Sequence, residues 1–467
     1  MKLAFRAAAL MSGIWLAAVC ASNAHFSFLE DEITQLTDAA RPLSDTAGNF
    51  WFGRGMHEHP PLSDFLLHFW LPIAGHSLVA MRLLSAFFFV AGLVLFGLAA
   101  RKLAGDTAFL PVIALGLLSP YNFHFARLAG WYSCCFLLVG WLTLAWLRYR
   151  ESPTNARLAG FIAPAILLTY GNYFGWAIVL LMLLDGFVWK TAAIVIGAMA
   201  VAYIPLWNAF LSEIRFNARP SGLVSNMLLG GFNFYTLLVS ESVAPWFWYL
   251  SVPAMAAAAT GIVLALRQMT ARQRQFFWYF CVAFAGLALT GKADTKRSFF
   301  LSGWLLMALG CALARRNRAL VLCLGLIAAI GWTGIATRQW YSAPHFIEPW
   351  GEVADRAAAS IRQGDLVLSN SPAFLFYLGR SSDPHVFTIR RWQKTAPAEP
   401  FTVLLVNGVN QGLIRDTAAI EVKLGSGCTR LESQRLVPDS GSELKQRLFP
   451  QFREPPFRIL VERYRCA

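Results

Sequence analysis

The sequence predicts a polytopic α-helical membrane protein with a water-soluble α/β domain at its C-terminus. Three observations carry that prediction. Of the 467 residues, 57% are hydrophobic and 14% charged, where a soluble domain carries about 25% charged residues. The mean hydropathy is +0.49, and long apolar runs recur over residues 1–337. From Arg338 onward the runs stop, and short strand-like segments alternate with helical ones.

The apolar runs place about 11 spans, near residues 5–24, 79–100, 107–121, 124–147, 157–170, 173–189, 191–211, 245–267, 276–290, 298–314 and 319–336. Several are shorter than the ~20 residues a crossing helix needs. The 17 Trp and 37 Phe fit aromatic belts at the membrane surfaces. The first run, after Lys2 and Arg6, also has the form of a signal peptide with small residues at Ala18–Ser22. The uncleaved reading is preferred, because it keeps the polar segment that follows tethered to the bundle.

Alternate connections are basic: Arg101-Lys102, Arg148-Tyr149-Arg150 with Arg157, Lys190, Arg267 with Arg272 and Arg274, and Arg315-Arg316-Asn317-Arg318. By the positive-inside rule these face the cytoplasm of a plasma (inner) membrane. The opposite, periplasmic or extracellular side then receives a first loop at 25–78, a second at 212–244 and the C-terminal domain. The expected division is a transmembrane domain at 1–337 and an extracytoplasmic α/β domain at 338–467. One outer connection breaks the rule, with Lys292, Lys296 and Arg297 close together. Either the span count is off there or the cations are kept for an anionic ligand, and the regular alternation elsewhere favours the ligand. The net charge of +14 follows from these loops. No basic patch interleaved with aromatics appears, which excludes nucleic acid as the expected partner.

Within the first loop, Leu29–Ala40 reads as a helix ended by Arg41-Pro42. Pro60-Pro61 opens a second helix, whose apolar spacing suits the interface plane. In the C-terminal domain a helix is expected at Trp350–Gln363, a strand at Asp365–Ser369 and a helix at Pro372–Leu378. Strands follow at His385–Ile389, Phe401–Asn407, Cys428–Leu436 and Arg458–Arg463. No Gly-rich phosphate loop occurs there. Six of the eight Cys lie in or beside apolar runs and read as core thiols. Cys428 and Cys466 can pair if the domain lies outside the cytoplasm, a question their spacing leaves open.

Four constellations carry chemistry. Asp31-Glu32 stands after the first span: either two acids at a helix start, favoured by its dipole, or a general base. His57-Glu58-His59 offers ligands for a divalent metal ion, but in no recognised zinc spacing, and an extended chain points Glu58 away from the two His. A hydrogen bond from His59 to a phosphate is the competing reading. Arg127 lies near the outer end of a span, either snorkelling to lipid head groups or gripping a phosphate. Lys292, Lys296 and Arg297 form the fourth. All four fall on the same predicted face.

The order of these motifs resembles the GT-C membrane glycosyltransferases that use polyprenyl-phosphate sugars. The likeness is nearest to the protein O-mannosyltransferase and aminoarabinose transferase group, including the RgtA/B/C/D-like set. The residues that carry it are Asp31-Glu32, His59-Pro60-Pro61-Leu62, Met81-Arg82-Leu83, Ser119-Pro120, Ala126-Arg127 with Tyr132, Lys296-Arg297-Ser298-Phe299 and Gly364-Asp365-Leu366-Val367-Leu368. The resemblance is firm over about residues 25–150. It implies a GT-C fold and an inverting transferase, with Asp31 as catalytic base or acceptor-orienting residue and Glu32 beside it. It implies acceptor, metal or lipid-phosphate contacts at Glu58 and His59, with His57 adjacent. It implies that Arg127 and Arg297, supported by Lys292 or Lys296, hold the donor phosphate. Relatives often carry a second Arg two residues before the Tyr, where this chain has Gly130; some carry Lys before the double proline, where it has His59. The expected partners are a polyprenyl-phosphate-linked sugar, membrane lipids and a glycan, lipid or protein acceptor; the expected cofactor is a divalent metal ion or none. The alternatives are a transporter or flippase of lipid-linked sugars and a non-catalytic assembly protein.

Overall fold

The structure is a computed structural model. It describes residues 2–22, 26–27, 29–45, 60–75, 77–185, 188–217, 222–291, 295–342, 348–369, 371–379, 383–388, 391–392, 400–408, 424, 427–438 and 457–466. The chain forms two compact units. The first comprises Met1–Ala21 and Gln35–Thr337, the second Ser22–Thr34 and Arg338–Ala467.

The first unit is helical. In chain order its helices are α1 (Lys2–Ser22), the later part of α2 (Glu30–Ala39), α3 (Leu62–Ala74), α4 (Leu78–Ala104), α5 (Phe109–Leu118), α6 (Pro120–Ala126), α7 (Trp131–Glu151), α8 (Asn155–Gly171), α9 (Gly175–Leu184), α10 (Trp189–Ala202), α11 (Trp207–Asn217), α12 (Leu223–Val239), α13 (Trp248–Gln268), α14 (Ala271–Leu289), α15 (Ser302–Leu313) and α16 (Arg318–Thr337). A helix meets each predicted span. Among the described residues, five helices are long and apolar enough to cross a membrane, and seven if each bent pair counts as one crossing. The chain is a multi-pass membrane protein.

Two expectations need correction. The spans predicted at 107–121 and 124–147 are separated by the short helix α6. Helix α5 and α6 meet at 72°, because Ser119 caps a new helix whose first residue is Pro120. The crossing helix therefore begins at Trp131, seven residues after the expected 124. The 212–244 segment, read as a loop, contains α12. Its polar residues Asn226, Asn233 and Thr236 are buried while Leu223, Val224 and Met227 are exposed. The inward Asn and Thr interrupt the apolar run, which hides the helix from a search for unbroken apolar stretches.

Aromatic packing holds the middle of this unit. Phe89 of α4 lies 5.2 Å from Trp15, 5.0 Å from Phe136 and 5.8 Å from Phe299 between ring centres. At one end of the unit Lys102 reaches Glu151 at 2.5 Å and Arg150 reaches Asp185 at 3.3 Å. Glu151 also feels the charges of Arg272 and Arg157. The connections that carry Lys102, Arg150 with Arg157, and Arg272 thus share one end of the bundle.

The second unit holds α17 (Trp350–Arg362), α18 (Pro372–Leu378) and five strands: β1 (Leu366–Ser369), β2 (Val386–Thr388), β3 (Phe401–Gly408), β4 (Cys428–Pro438) and β5 (Phe457–Cys466). The sheet order is β2-β1-β3-β5-β4. Strand β1 runs parallel to β2 and β3, and β5 antiparallel to β3 and β4. Helix α17 buries Val353, Ala354, Ala357 and Ile361, the spacing of one helical face. Cys428 and Cys466 stand opposite each other in the β4–β5 register and form a disulfide. The other six Cys are free.

Candidate functional site

Helix α6 and the turn after it are buried throughout, from Pro120 to Ala129. Polar side chains hold this short helix at both ends. Ser119 accepts from the Asn122 backbone N–H, and Ser133 Oγ donates to the Ala126 carbonyl at 3.0 Å. Asn122 Nδ2 donates to the Gly116 carbonyl at 3.2 Å, tying α6 to the end of α5. These bonds satisfy backbone groups that a seven-residue helix leaves open. Arg127 occupies the C-cap of α6 and is 1% exposed. Its guanidinium lies 5.6 Å from the centre of the Phe123 ring. The snorkelling alternative therefore fails: this cation is inside the protein. Burying a guanidinium is costly unless its charge and its N–H groups are compensated inside the protein.

The Lys296–Arg297 turn lies beside the same helix. Tyr121 Oη donates to the Thr295 carbonyl at 2.5 Å. Phe299 then packs 6.0 Å from Tyr121 and 6.2 Å from Phe125. Lys296 and Arg297 are half-buried. The segment that carries Lys296 and Arg297 is thus anchored to α6, the helix whose C-cap is Arg127. Lys292 lies outside the described residues.

Asp31 and Glu32 belong to the second unit and differ in environment. Glu32 is 1% exposed, and its Oε2 accepts from the Leu29 backbone N–H at 3.0 Å. That is the backward half of a capping box, so this acid shapes the helix start. Asp31 is exposed. Within the same unit the Arg338 guanidinium lies 5.2 Å from the Phe26 ring centre. His57, Glu58 and His59 lie outside the described residues, so their placement adds nothing to the metal reading.

The solved structure of ArnT from Cupriavidus metallidurans bound to undecaprenyl phosphate matches with a TM-score of 0.58. Its sequence is 12% identical, and the match covers 97% of each chain. The same protein in the apo state matches with a TM-score of 0.59, at 11% identity and the same coverage. The chain has the GT-C fold of ArnT. No family model matches the chain, and no curated protein matches it.

Within this ArnT-type fold the structure adds residues that the motifs did not single out. Asp64, in the first turn of α3, accepts from Gln35 Nε2 at 3.0 Å, and Ser63 Oγ accepts from the same amide. Burial raises the Asp64 carboxyl to about 7; the Gln35 bond opposes the rise and the Asp38 charge adds to it. A Cβ at Gly130 would stand 2.8 Å from Tyr132 Cε2 and 3.1 Å from Gln35 Oε1. Gly130 is therefore the residue that lets Gln35 approach the turn after Arg127. One α-helical turn beyond Asp64, His68 Nδ1 lies 2.7 Å from the Ala39 carbonyl. The end of α2 and the start of α3 are thus pinned together.

Arg82 and Glu241 are also buried, at 0% and 3% exposed. An Arg inside an apolar run is a signal that sequence carries, and Arg82 appeared only as part of a motif. Glu241 had no such signal. Its segment is pressed between helices: Ser242 Oγ donates to the Gly331 carbonyl at 2.7 Å, and Tyr235 Oη to the Val243 carbonyl at 2.8 Å.

Proposed function

We propose that this chain is an inverting glycosyltransferase that moves a sugar from a polyprenyl-phosphate donor to an extracytoplasmic acceptor. The observation that carries the reading is the buried Arg127 beside the Lys296–Arg297 turn, in a fold shared over 97% of its length with ArnT, a protein solved with undecaprenyl phosphate bound. A hydroxyl or amine of the acceptor attacks the anomeric carbon from the face opposite the phosphate. Asp31 takes the acceptor's proton. The bond from the anomeric carbon to the phosphate oxygen breaks, and the polyprenyl phosphate leaves with the negative charge. Arg127 and Arg297, with Lys292 or Lys296, stabilise that charge as it forms. One base and a set of cations suffice, without the paired carboxylates of a retaining hydrolase. Glu58 and His59 keep the role of candidate ligands for a divalent ion. The Cys428–Cys466 disulfide supports an oxidising, periplasmic or extracellular location for the second unit.

The test is donor-dependent transfer by the full chain in membrane vesicles, with the product read by mass spectrometry. Asp31→Asn is expected to lower transfer by about 10²-fold or more at unchanged expression. Arg127→Ala and Arg297→Ala are expected to raise the donor concentration needed. Transfer by Asp31→Asn at the wild-type rate rejects the base, and unchanged donor dependence in both Arg variants rejects the clamp. Donor crossing the membrane unchanged, with no glycosylated product, rejects the transferase.

A further inference from the structure

The helical unit carries an open groove of about 840 Å³, within the range of ligand-binding pockets. Ala114, Leu115 and Leu118 of α5 form one wall, and Val321, Leu322 and Gly325 of α16 another. Each trio has the i, i+1, i+4 or closely related spacing of a single helix face. Leu118, Val321 and Leu322 are exposed, so the groove opens to the surroundings of the bundle. Its charged lining residues are Arg316 and Arg318, at the turn joining α15 to α16.

Two observations set these cations apart. The first is backbone conformation. Arg316 has φ +56° and closes the end of α15 with its N–H on the Leu313 carbonyl at 2.8 Å. Glycine takes this left-handed position with less strain, yet the chain keeps an arginine there. The second is pairing. Cys311 Sγ lies 3.9 Å from the Ala100 carbonyl, which sets the end of α15 beside the end of α4. Other cations at that end are paired, Arg101 with Asp106 and Lys102 with Glu151, each at 2.5 Å. Among the described residues no acid pairs with Arg316 or Arg318, and both are exposed.

We propose that this groove binds an acidic glycerophospholipid, with its phosphate between Arg316 and Arg318 and one acyl chain lying along α5 and α16. The phosphate held at this turn is not the donor's. Arg297 precedes α15 and Arg316 follows it, and twelve helical residues separate the two by about 18 Å. One phosphate cannot serve both ends. The lipid held at Arg316 therefore belongs to the leaflet opposite the proposed donor phosphate, and its anionic head group matches the cations left without acids.

The full-length protein in a neutral detergent tests this by native mass spectrometry with phosphatidylglycerol, phosphatidylcholine or undecaprenyl phosphate added. The wild type is expected to retain phosphatidylglycerol about tenfold or more over phosphatidylcholine. The double variant Arg316→Gly, Arg318→Gln keeps a turn that glycine favours and is expected to lose the preference. In Gly325→Leu the new side chain enters open space, because nothing lies within 4 Å of a Cβ there. That variant is expected to lose bound lipid while its melting temperature without lipid is unchanged. Equal retention of the two phospholipids by the wild type overturns the proposal, as does unchanged preference in the double variant. Displacement of phosphatidylglycerol by equimolar undecaprenyl phosphate assigns the groove to the polyprenyl chain and also overturns it.

Discussion

Asp64 is a carboxyl whose folded environment favours the protonated form. Its ordinary value of 3.8 rises to about 7, chiefly through burial. Between those two values the folded chain binds the proton more tightly than the unfolded chain does. Stability from this group is therefore lost as pH rises through that window, and the penalty is complete above about 7. Asp64→Asn keeps an acceptor for Gln35 but carries no charge. The wild-type melting temperature is expected to fall relative to that of Asp64→Asn between pH 5 and pH 8, measured by thermal unfolding in detergent. Parallel curves for the two proteins would remove the argument. Glu32 and Asp31 show the other side of the residue scale. Adjacent in sequence, they are indistinguishable by composition. Helical geometry turns Glu32 back onto the Leu29 N–H and leaves Asp31 exposed.

At the scale of elements, most helices were legible because an apolar run or an amphipathic period needs no partner to be recognised. Helix α18 lies at Pro372–Leu378 as expected, and α17, β1 and β3 fall within a residue of their expected ends. The misses have local causes. Ser119-Pro120 starts a new helix inside an apolar region, and α12 turns its Asn and Thr inward. Close helix approach is the second element-scale feature. A Cβ at Gly334 of α16 would stand 2.4 Å from the Ser242 carbonyl oxygen. That neighbour is backbone and cannot rotate away. Gly334→Val is expected to cost about 1–3 kcal/mol by overpacking, with the 239–243 segment that holds Glu241 displaced. The matched control is Gly325→Ala, where open space is available. Thermal unfolding of both variants in detergent checks this: equal melting temperatures would show that the 239–243 segment yields freely.

At the scale of the whole molecule, the disulfide closes a 38-residue separation and fastens the edge strand β4 to β5. Breaking it in the full chain is expected to cost the sheet about 2–4 kcal/mol. Hydrogen exchange reads this locally, which suits a chain of two units better than a single melting temperature. Amides of β4 and β5 are expected to exchange faster in Cys428→Ser, while those of α4 and α7 stay protected. Uniform loss of protection in both units would mean that the bond supports more than the sheet.

The covalent order alone determined much of this protein. Apolar runs, caps and alternating basic connections need only neighbours in the chain, so the helices, the C-terminal α/β unit and the GT-C resemblance were readable from residues within about 20 positions of each other. Burial was not readable, because it depends on residues far apart. Arg127 looked like a cation at a membrane surface until α6 bent away from α5 and Tyr121 bonded to Thr295, 174 positions on. Asp64 looked like an ordinary first-turn acid until Gln35 came to it across 29 positions. Charge is placed by sequence, but its electrostatic cost is set by what the fold packs around it, and only the tertiary structure decided which charges were enclosed.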